Sequence, residues 1–91
     1  MKRVIRRKTY RDDLLAIADY IAQDSPGAAA RLRLAIDDQV SKLADPNFPR
    51  RRGRVAGTKE LVAHENYLVI LIEDDTSITA VNVVHARRHY P

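Results

Sequence analysis

The chain has 91 residues and no cysteine, and its 16 Lys and Arg exceed its 12 Asp and Glu, giving a formal net charge of +4. A chain of this length folds as one domain with a modest core that buries about 60–65% of the unfolded surface, whereas disulfides and thiolate chemistry are excluded. Because the basic N-terminus lacks a secretory signal and no run approaches the ~20 apolar residues of a membrane span, we expect a cytoplasmic protein.

The first quarter of the chain predicts a short strand followed by a helix. Residues 3–8 form an edge strand at most, because arginines interrupt their apolar positions. From Thr9 to about Asp24, apolar residues recur at helical spacing, with Thr9 or a near neighbour as the N-cap. The predicted buried stripe consists of Leu14, Ile17, Ala18 and Ile21.

A second helix follows almost at once. Ser25 is a favourable N-cap, Pro26 suits the first helical position, and Asp45-Pro46 ends the element. Its predicted stripe consists of Ala29, Leu32, Ile36, Val40 and Leu43. Since hardly any loop separates the two amphipathic helices, we predict a helical hairpin.

The second half of the chain predicts a loop and three strands. Residues 47–58 contain proline, glycine and an arginine cluster without periodicity, which is typical of a loop. Short apolar segments separated by turn residues then predict strands at 60–64, 67–73 and 78–84. The predicted fold is α+β, a helical hairpin packed on a small antiparallel sheet in β-α-α-β-β-β order, and residues 1–91 form a single domain.

The middle strand is apolar on both faces. Val69 and Leu71 lie on one side, and Leu68, Ile70 and Ile72 lie on the other. The helical hairpin covers only one face. Either the first strand and the arginine loop cover the second face, or it forms an interaction site for another chain.

The cations are concentrated in three segments. Six of the 16 lie in residues 1–11, five lie in 50–59, and two are Arg87 and Arg88, whereas seven of the 12 acids lie between 12 and 45. This distribution indicates patches, assembled by folding, that face an anionic partner. The alternative is that the basic charge only maintains solubility.

The last strand runs directly into histidines, arginines and a tyrosine. If the loop of residues 50–54 borders the same edge of the sheet, both segments form one cationic surface suited to phosphates or carboxylates. We predict that they converge in this way. The predicted target-binding residues are Arg50, Arg51, Arg52, Arg54, His85, Arg87, Arg88 and Tyr90.

Three polar residues of the strands have two interpretations each. His85 is either a hydrogen-bonded structural residue or a proton-transfer group, and His64 is a turn residue or a ligand. Asn82 either bonds a helix terminus or lines the exposed face. The histidines lack the spacing of a metal site, and the glycines lack the spacing of a nucleotide cofactor loop, so we predict neither metal nor cofactor.

Two segments give the chain a family resemblance. "GTKELVAHENYLVIL" (57–71) and "VNVVHARRHYP" (81–91), behind a helical hairpin, resemble the RelE/ParE superfamily of bacterial toxins, specifically its ParE-like members. The resemblance implies the toxin of a type II toxin–antitoxin pair, neutralised by an antitoxin whose C-terminal segment wraps it. An acidic, amphipathic antitoxin would cover the second sheet face and nearby cations. The implied antitoxin-binding residues are Leu68, Ile70, Ile72, Arg3 and Arg6.

Two activities occur in the superfamily. ParE-like members bind and poison DNA gyrase, whereas RelE-like members cleave mRNA on the ribosome. The nucleases carry an arginine directly after the central tyrosine, where this chain has Leu68 after Tyr67. The resemblance therefore favours gyrase binding, and the alternative is a ribosome-dependent endonuclease. The catalytic residues of that alternative are Arg87, Arg88, His89 and Tyr90.

Overall fold

Two consecutive helices and five strands make up residues 1–87, the part of the chain that the computed structural model describes. The α+β class and the helical hairpin are confirmed. A two-residue strand inside the predicted arginine loop is additional. In chain order the elements are β1 Arg3–Arg6, α1 Lys8–Ala22, α2 Pro26–Lys42, β2 Arg51–Arg52, β3 Lys59–His64, β4 Tyr67–Glu73 and β5 Ser77–His85.

The helix starts follow the sequence signals in one case and not in the other. In α2, Pro26 is the first residue, and the Ser25 hydroxyl accepts a hydrogen bond from the Ala28 N–H at 3.3 Å, as predicted. In α1, the N-cap is Arg7, which provides no side-chain cap. Thr9 lies inside the helix and donates its hydroxyl to the Val81 carbonyl, so it contacts the sheet instead of capping α1.

The sheet is mixed, with the strand order β1-β5-β4-β3-β2. β1 pairs in parallel with β5, whereas the other neighbours are antiparallel. The predicted antiparallel meander of β3, β4 and β5 is confirmed, and the parallel pairing of β1 corrects the expectation of an antiparallel sheet for the N-terminal strand. Parallel partners need a long crossover connection, and here both helices and three strands separate β1 from β5 in the chain.

The core lies between the helical hairpin and one face of the sheet. α1 packs on β5 and α2 on β3. Tyr10, which was not predicted to be buried, lies in this core, where its hydroxyl donates to Asp37 Oδ1 at 2.8 Å and so satisfies its polar tip. The buried cluster comprises Tyr10, Leu14, Ile36, Val40, Leu43, Leu61, Val69, Leu71, Ile78, Ala80 and Val83.

The second face of the sheet has partly exposed apolar side chains. Val62 is 51% and Ile72 is 42% exposed, whereas Leu68, which lies between Val62 and Val84 in the strand register, is 2% exposed. Within residues 1–87, β1 and β2 extend the sheet at its two edges. Of the two alternatives for the second face, the one in which these segments fold over it is therefore wrong, because their backbones pair with β5 and β3 instead.

The backbone of Arg7 and the side chain of Asp13 in α1 continue the pairing of β5 where β1 ends. The Arg7 N–H donates to the Ala80 carbonyl at 3.0 Å. Further along, Asp13 Oδ2 accepts from the Val83 N–H and from Asn82 Nδ2, both at 3.0 Å. Asn82 therefore bonds a helix side chain, and Asp13 satisfies a backbone donor that no strand reaches.

We expect Asp13→Ala to lower the free energy of unfolding by about 1–3 kcal/mol, because it leaves the buried Val83 N–H without an acceptor. Urea denaturation measures the loss, and amide hydrogen exchange should accelerate selectively at Val83. The control is Asp19→Ala, which removes an exposed carboxylate from the same helix. Equal destabilisation by both variants would contradict the assignment.

Candidate functional site

The arginine loop and the described part of the C-terminal cationic segment, residues 85–87, lie at opposite ends of β3. Arg51 pairs with Glu60 at the start of β3. At the other end of β3, His64 pairs with Tyr67, which in turn pairs with His85. Glu60 and His64 are four strand positions apart, or about 13 Å.

The expectation of one cationic rim is thus wrong for the arginine loop and Arg87. The physical reason is that the loop joins the sheet as β2 beside the first residues of β3, whereas β5 runs on beyond the far end. At that far end, the Ala86 N–H donates to the Asn66 carbonyl at 2.8 Å. The remaining predicted tail residues, Arg88, His89 and Tyr90, lie outside the described residues.

Arg50 is a structural crosslink. Its side chain is 6% exposed, and Nη1 donates to Glu73 Oε2 at 3.0 Å. Nε and Nη2 donate to the carbonyls of Phe48, Leu43 and Asp45 at 3.1, 3.2 and 2.6 Å. Although Arg50 was predicted to bind a target, these bonds leave its guanidinium little capacity for one.

Glu73 is the acceptor for three cations. Lys2 Nζ lies 2.9 Å from its carboxylate, and Arg50 Nη1 and Lys59 Nζ each lie 3.0 Å away. Burial raises the pKa of Glu73, but hydrogen bonds from Lys2 and Lys59 and the charges of Arg50 and Lys59 outweigh it, so the pKa is lowered. Because one carboxylate is shared by three cations, the positive charge around Glu73 is only partly neutralised.

Glu60 anchors the rest of the arginine loop. It is 2% exposed and accepts from Arg51 Nε at 3.0 Å and from the Arg54 backbone N–H at 3.2 Å, with Arg54 Nε at 4.0 Å. Arg52 is exposed and makes no ion pair within residues 1–87. Arg52 is therefore the loop arginine best placed to meet a ligand.

A glycine-dependent turn holds these arginines in place. The Thr58 N–H donates to the Val55 carbonyl at 3.1 Å, and Gly57 has φ +83°, a conformation that favours glycine. A Cβ at Gly53 would lie 2.2 Å from Thr58 Oγ1. Gly57 is thus required by the backbone conformation of the turn, and Gly53 by the close approach of Thr58.

Three aromatic rings form a cluster at the far end of the sheet. The ring centroids of His64 and Tyr67 are 5.8 Å apart, and those of Tyr67 and His85 are 5.4 Å apart in an edge-on arrangement. His64 Nδ1 accepts from the Asn66 N–H and His85 Nδ1 from the Arg87 N–H, both at 3.2 Å. In a neutral imidazole this places the proton on Nε2.

The grouping of Tyr67 with these two histidines was not predicted from the sequence. The signal was available in the turn at Glu65-Asn66, which places His64 beside Tyr67. The pairing of Tyr67 with His85 depends on the register of β4 and β5, where a bulge between Ile70 and Leu71 shifts the alignment.

Arg6, a predicted antitoxin contact, also forms an internal network. Its Nε donates to Asp37 Oδ1 at 2.8 Å and its Nη2 donates to Ser41 Oγ at 2.7 Å, so it ties β1 to α2. Burial raises the pKa of Asp37, but hydrogen bonds from Arg6 and Tyr10 outweigh this and lower it. Arg3 is exposed at the edge of the sheet, and Ile70 is half-buried on the second face.

A groove between the two helices was not predicted. It has a volume of about 470 Å³, and its walls include Leu15 and Leu34, which are 41% and 71% exposed. Both leucines lie outside the predicted buried stripes of the helices. Apolar residues on the polar faces were therefore the sequence signal for this groove. Three arginines border this groove, namely Arg6, Arg11 and Arg33.

Within residues 1–87, no group of three or more His, Cys, Asp or Glu side chains is arranged to hold a metal ion. None of the helices in this range is long and apolar enough to cross a membrane.

A helical hairpin on a five-stranded mixed sheet is also the fold of a solved structure to which this chain is similar. That structure, described as "Chromosomal ParDE TA system from P. aeruginosa", is similar with a TM-score of 0.80 and 21% identity, covering 93% of this chain and 96% of the other. The family model of ParE toxins of type II toxin–antitoxin systems (parDE) matches residues 4–90. The chain belongs to this family.

Two curated relatives agree with the assignment. "Toxin RelE2" of Caulobacter vibrioides is 38% identical over 78 residues, which cover 84% of this chain and 85% of the relative. "Putative toxin Y4kP" of Sinorhizobium fredii is 33% identical over 75 residues, covering 82% of this chain and 78% of the relative.

Proposed function

We propose that this ParE-family toxin acts in the cytoplasm on DNA gyrase, by binding and without cutting nucleic acid. The observation that carries the proposal is Leu68. Nucleases of the superfamily carry an arginine directly after the central tyrosine, and such a cation stabilises the charge that develops on the phosphate. In this chain the residue after Tyr67 is a leucine that is 2% exposed, so no cation stands at that position.

The test is supercoiling of relaxed plasmid by purified gyrase with the toxin in micromolar excess. We expect supercoiling to fall and cleaved plasmid to accumulate. Arg87→Gln removes an exposed cation at the predicted docking end, and we expect it to weaken inhibition several-fold. The control, Lys8→Gln, removes one exposed positive charge elsewhere. Unchanged gyrase activity at toxin excess would contradict the proposal.

The alternative is a ribosome-dependent mRNA endonuclease, which the ring cluster favours. RNA cleavage needs a base for the 2′-hydroxyl proton and an acid for the leaving 5′-oxygen, and His64 and His85 flank Tyr67 at one end of the sheet. Arg87 is exposed beside them. The family resemblance adds the tail residues Arg88, His89 and Tyr90. Messenger that stays intact on translating ribosomes exposed to the toxin would exclude this alternative.

A cognate acidic antitoxin is the partner that the apolar surfaces suit. An amphipathic acidic helix fits the groove between α1 and α2, because Leu15 and Leu34 offer apolar contacts and the bordering arginines attract carboxylates. On the second sheet face, Ile70 and Ile72 offer a further apolar surface near exposed Arg3, whereas Leu68 is only 2% exposed. The similar solved structure is itself described as a ParDE toxin–antitoxin system.

A further inference from the structure

Two like charges stand opposite each other in the short β2–β3 ladder. Arg52 pairs in register with Lys59, whereas the neighbouring pair, Arg51 and Glu60, forms an ion pair at 3.0 Å. Like charges directly opposite on a sheet repel each other. Lys59 is partly neutralised by Glu73 at 3.0 Å, but Arg52 makes no ion pair within residues 1–87. This position therefore has a positive charge that the described residues do not balance.

The same pair borders a cavity with a volume of about 710 Å³. Its floor and walls are formed by β2, the glycine-dependent turn and the end of β4. Five cations and one carboxylate line it, and the buried Glu60 pairs with two of these cations, Arg51 and Arg54. The lining charges are Arg50, Arg51, Arg52, Arg54, Lys59 and Glu73. The single acid, Glu73, already accepts from Lys2, Arg50 and Lys59.

We propose that this cavity binds phosphate groups, with Arg52 and Lys59 as their direct ligands. A phosphate between these side chains converts a repulsive pair into two charge-assisted interactions, and the planar arginine group matches phosphate oxygens in a bidentate manner. The volume falls in the range of small-molecule sites, roughly 300–1,000 Å³. The phosphates come either from a free nucleotide-like compound or from a nucleic-acid strand.

The phosphate site does not depend on the proposed gyrase target. The cavity lies at the start of β3, whereas His85 and Arg87 lie at the far end of the sheet. A result in which the toxin does not inhibit gyrase would not count against the phosphate site. A result in which the toxin does not bind phosphate would not count against the gyrase proposal. The two proposals therefore fail separately.

The experiment titrates the full-length protein with two probes, inorganic pyrophosphate and a fluorescent single-stranded 12-residue oligodeoxynucleotide, a length of roughly one strand-binding site. Amide chemical shifts should change at Arg52 and across the turn between Gly53 and Thr58. In Arg52→Gln/Lys59→Gln we expect at least ~10-fold weaker binding, the loss of two charge-assisted contacts. Arg52→Gln alone should weaken binding without disturbing the fold, because this residue makes no ion pair within residues 1–87.

The matched control is Arg31→Gln/Lys8→Gln, which removes one arginine and one lysine from exposed positions outside the cavity. It should bind like the wild type. Saturable pyrophosphate binding alone supports a site for free phosphate compounds. Oligonucleotide binding whose salt slope falls by about 1.4 in the cavity variant, the value for two lost phosphate contacts on a single strand, supports a strand site. Equal losses in both double variants, or no shift changes around Arg52, would overturn the proposal.

Discussion

Glu73→Ala is expected to lower the free energy of unfolding by about 3–5 kcal/mol, because it leaves the buried guanidinium of Arg50 without its counter-charge. Lys2 and Lys59 lose the same acceptor. Arg50 also holds the carbonyls of Leu43 and Asp45, so its displacement loosens the connection between α2 and β2. Urea denaturation followed by circular dichroism measures the loss.

Asp38→Ala is the matched control for Glu73→Ala. Asp38 also pairs with a lysine, Lys42 at 3.3 Å, but the two side chains are 66% and 51% exposed. Exposed pairs contribute little, so the expected loss is below about 0.5 kcal/mol. Similar losses of unfolding free energy in both variants would mean that the ion pairs around Glu73 contribute no more to stability than an exposed pair.

The pH dependence gives an independent check on Glu73. Its pKa in the folded protein is lowered from 4.5, so its ion pairs contribute stability that is fully present above pH 4.5 and is lost as the pH falls through the folded pKa. The wild type should therefore lose stability on acidification below pH 4.5. Glu73→Gln cannot titrate there, and its stability should fall less steeply in that window.

Leu34→Glu should abolish neutralisation by the antitoxin while leaving toxicity intact. Leu34 is 71% exposed in the groove between α1 and α2, so the folded toxin tolerates the change. In the complex, a carboxylate would be buried against an acidic helix, which we expect to weaken binding about 100-fold or more. Calorimetry on the purified pair measures the affinity, and co-expression should no longer restore growth.

Tyr20→Glu is the control for Leu34→Glu. Tyr20 is 73% exposed on α1 and lies outside the residues that line the groove. The Tyr20→Glu variant should bind the antitoxin with the affinity of the wild type. If Leu34→Glu also keeps wild-type affinity, the antitoxin does not use this groove, and the corresponding substitution Ile72→Glu tests the second sheet face.

Local signals in the sequence determined the elements and the α+β class. The cap at Ser25, the proline at position 26 and the periodic apolar residues of both helices act over a few neighbours, so they can be read without a tertiary structure. The family resemblance rested on short segments of the same kind, and the family match over residues 4–90 agrees with it.

The tertiary structure decided which distant residues meet. The sequence could not show that Arg51 and Arg52 join the sheet beside Lys59 and Glu60, because strand pairing depends on backbone hydrogen bonds between distant segments. Because of that pairing, the arginine loop lies far from Arg87 and Arg50 forms an ion pair with Glu73. Arg52 lies opposite Lys59 beside a cavity. Charge at each position is a property of the residue, whereas the partner that neutralises it depends on the register of the sheet.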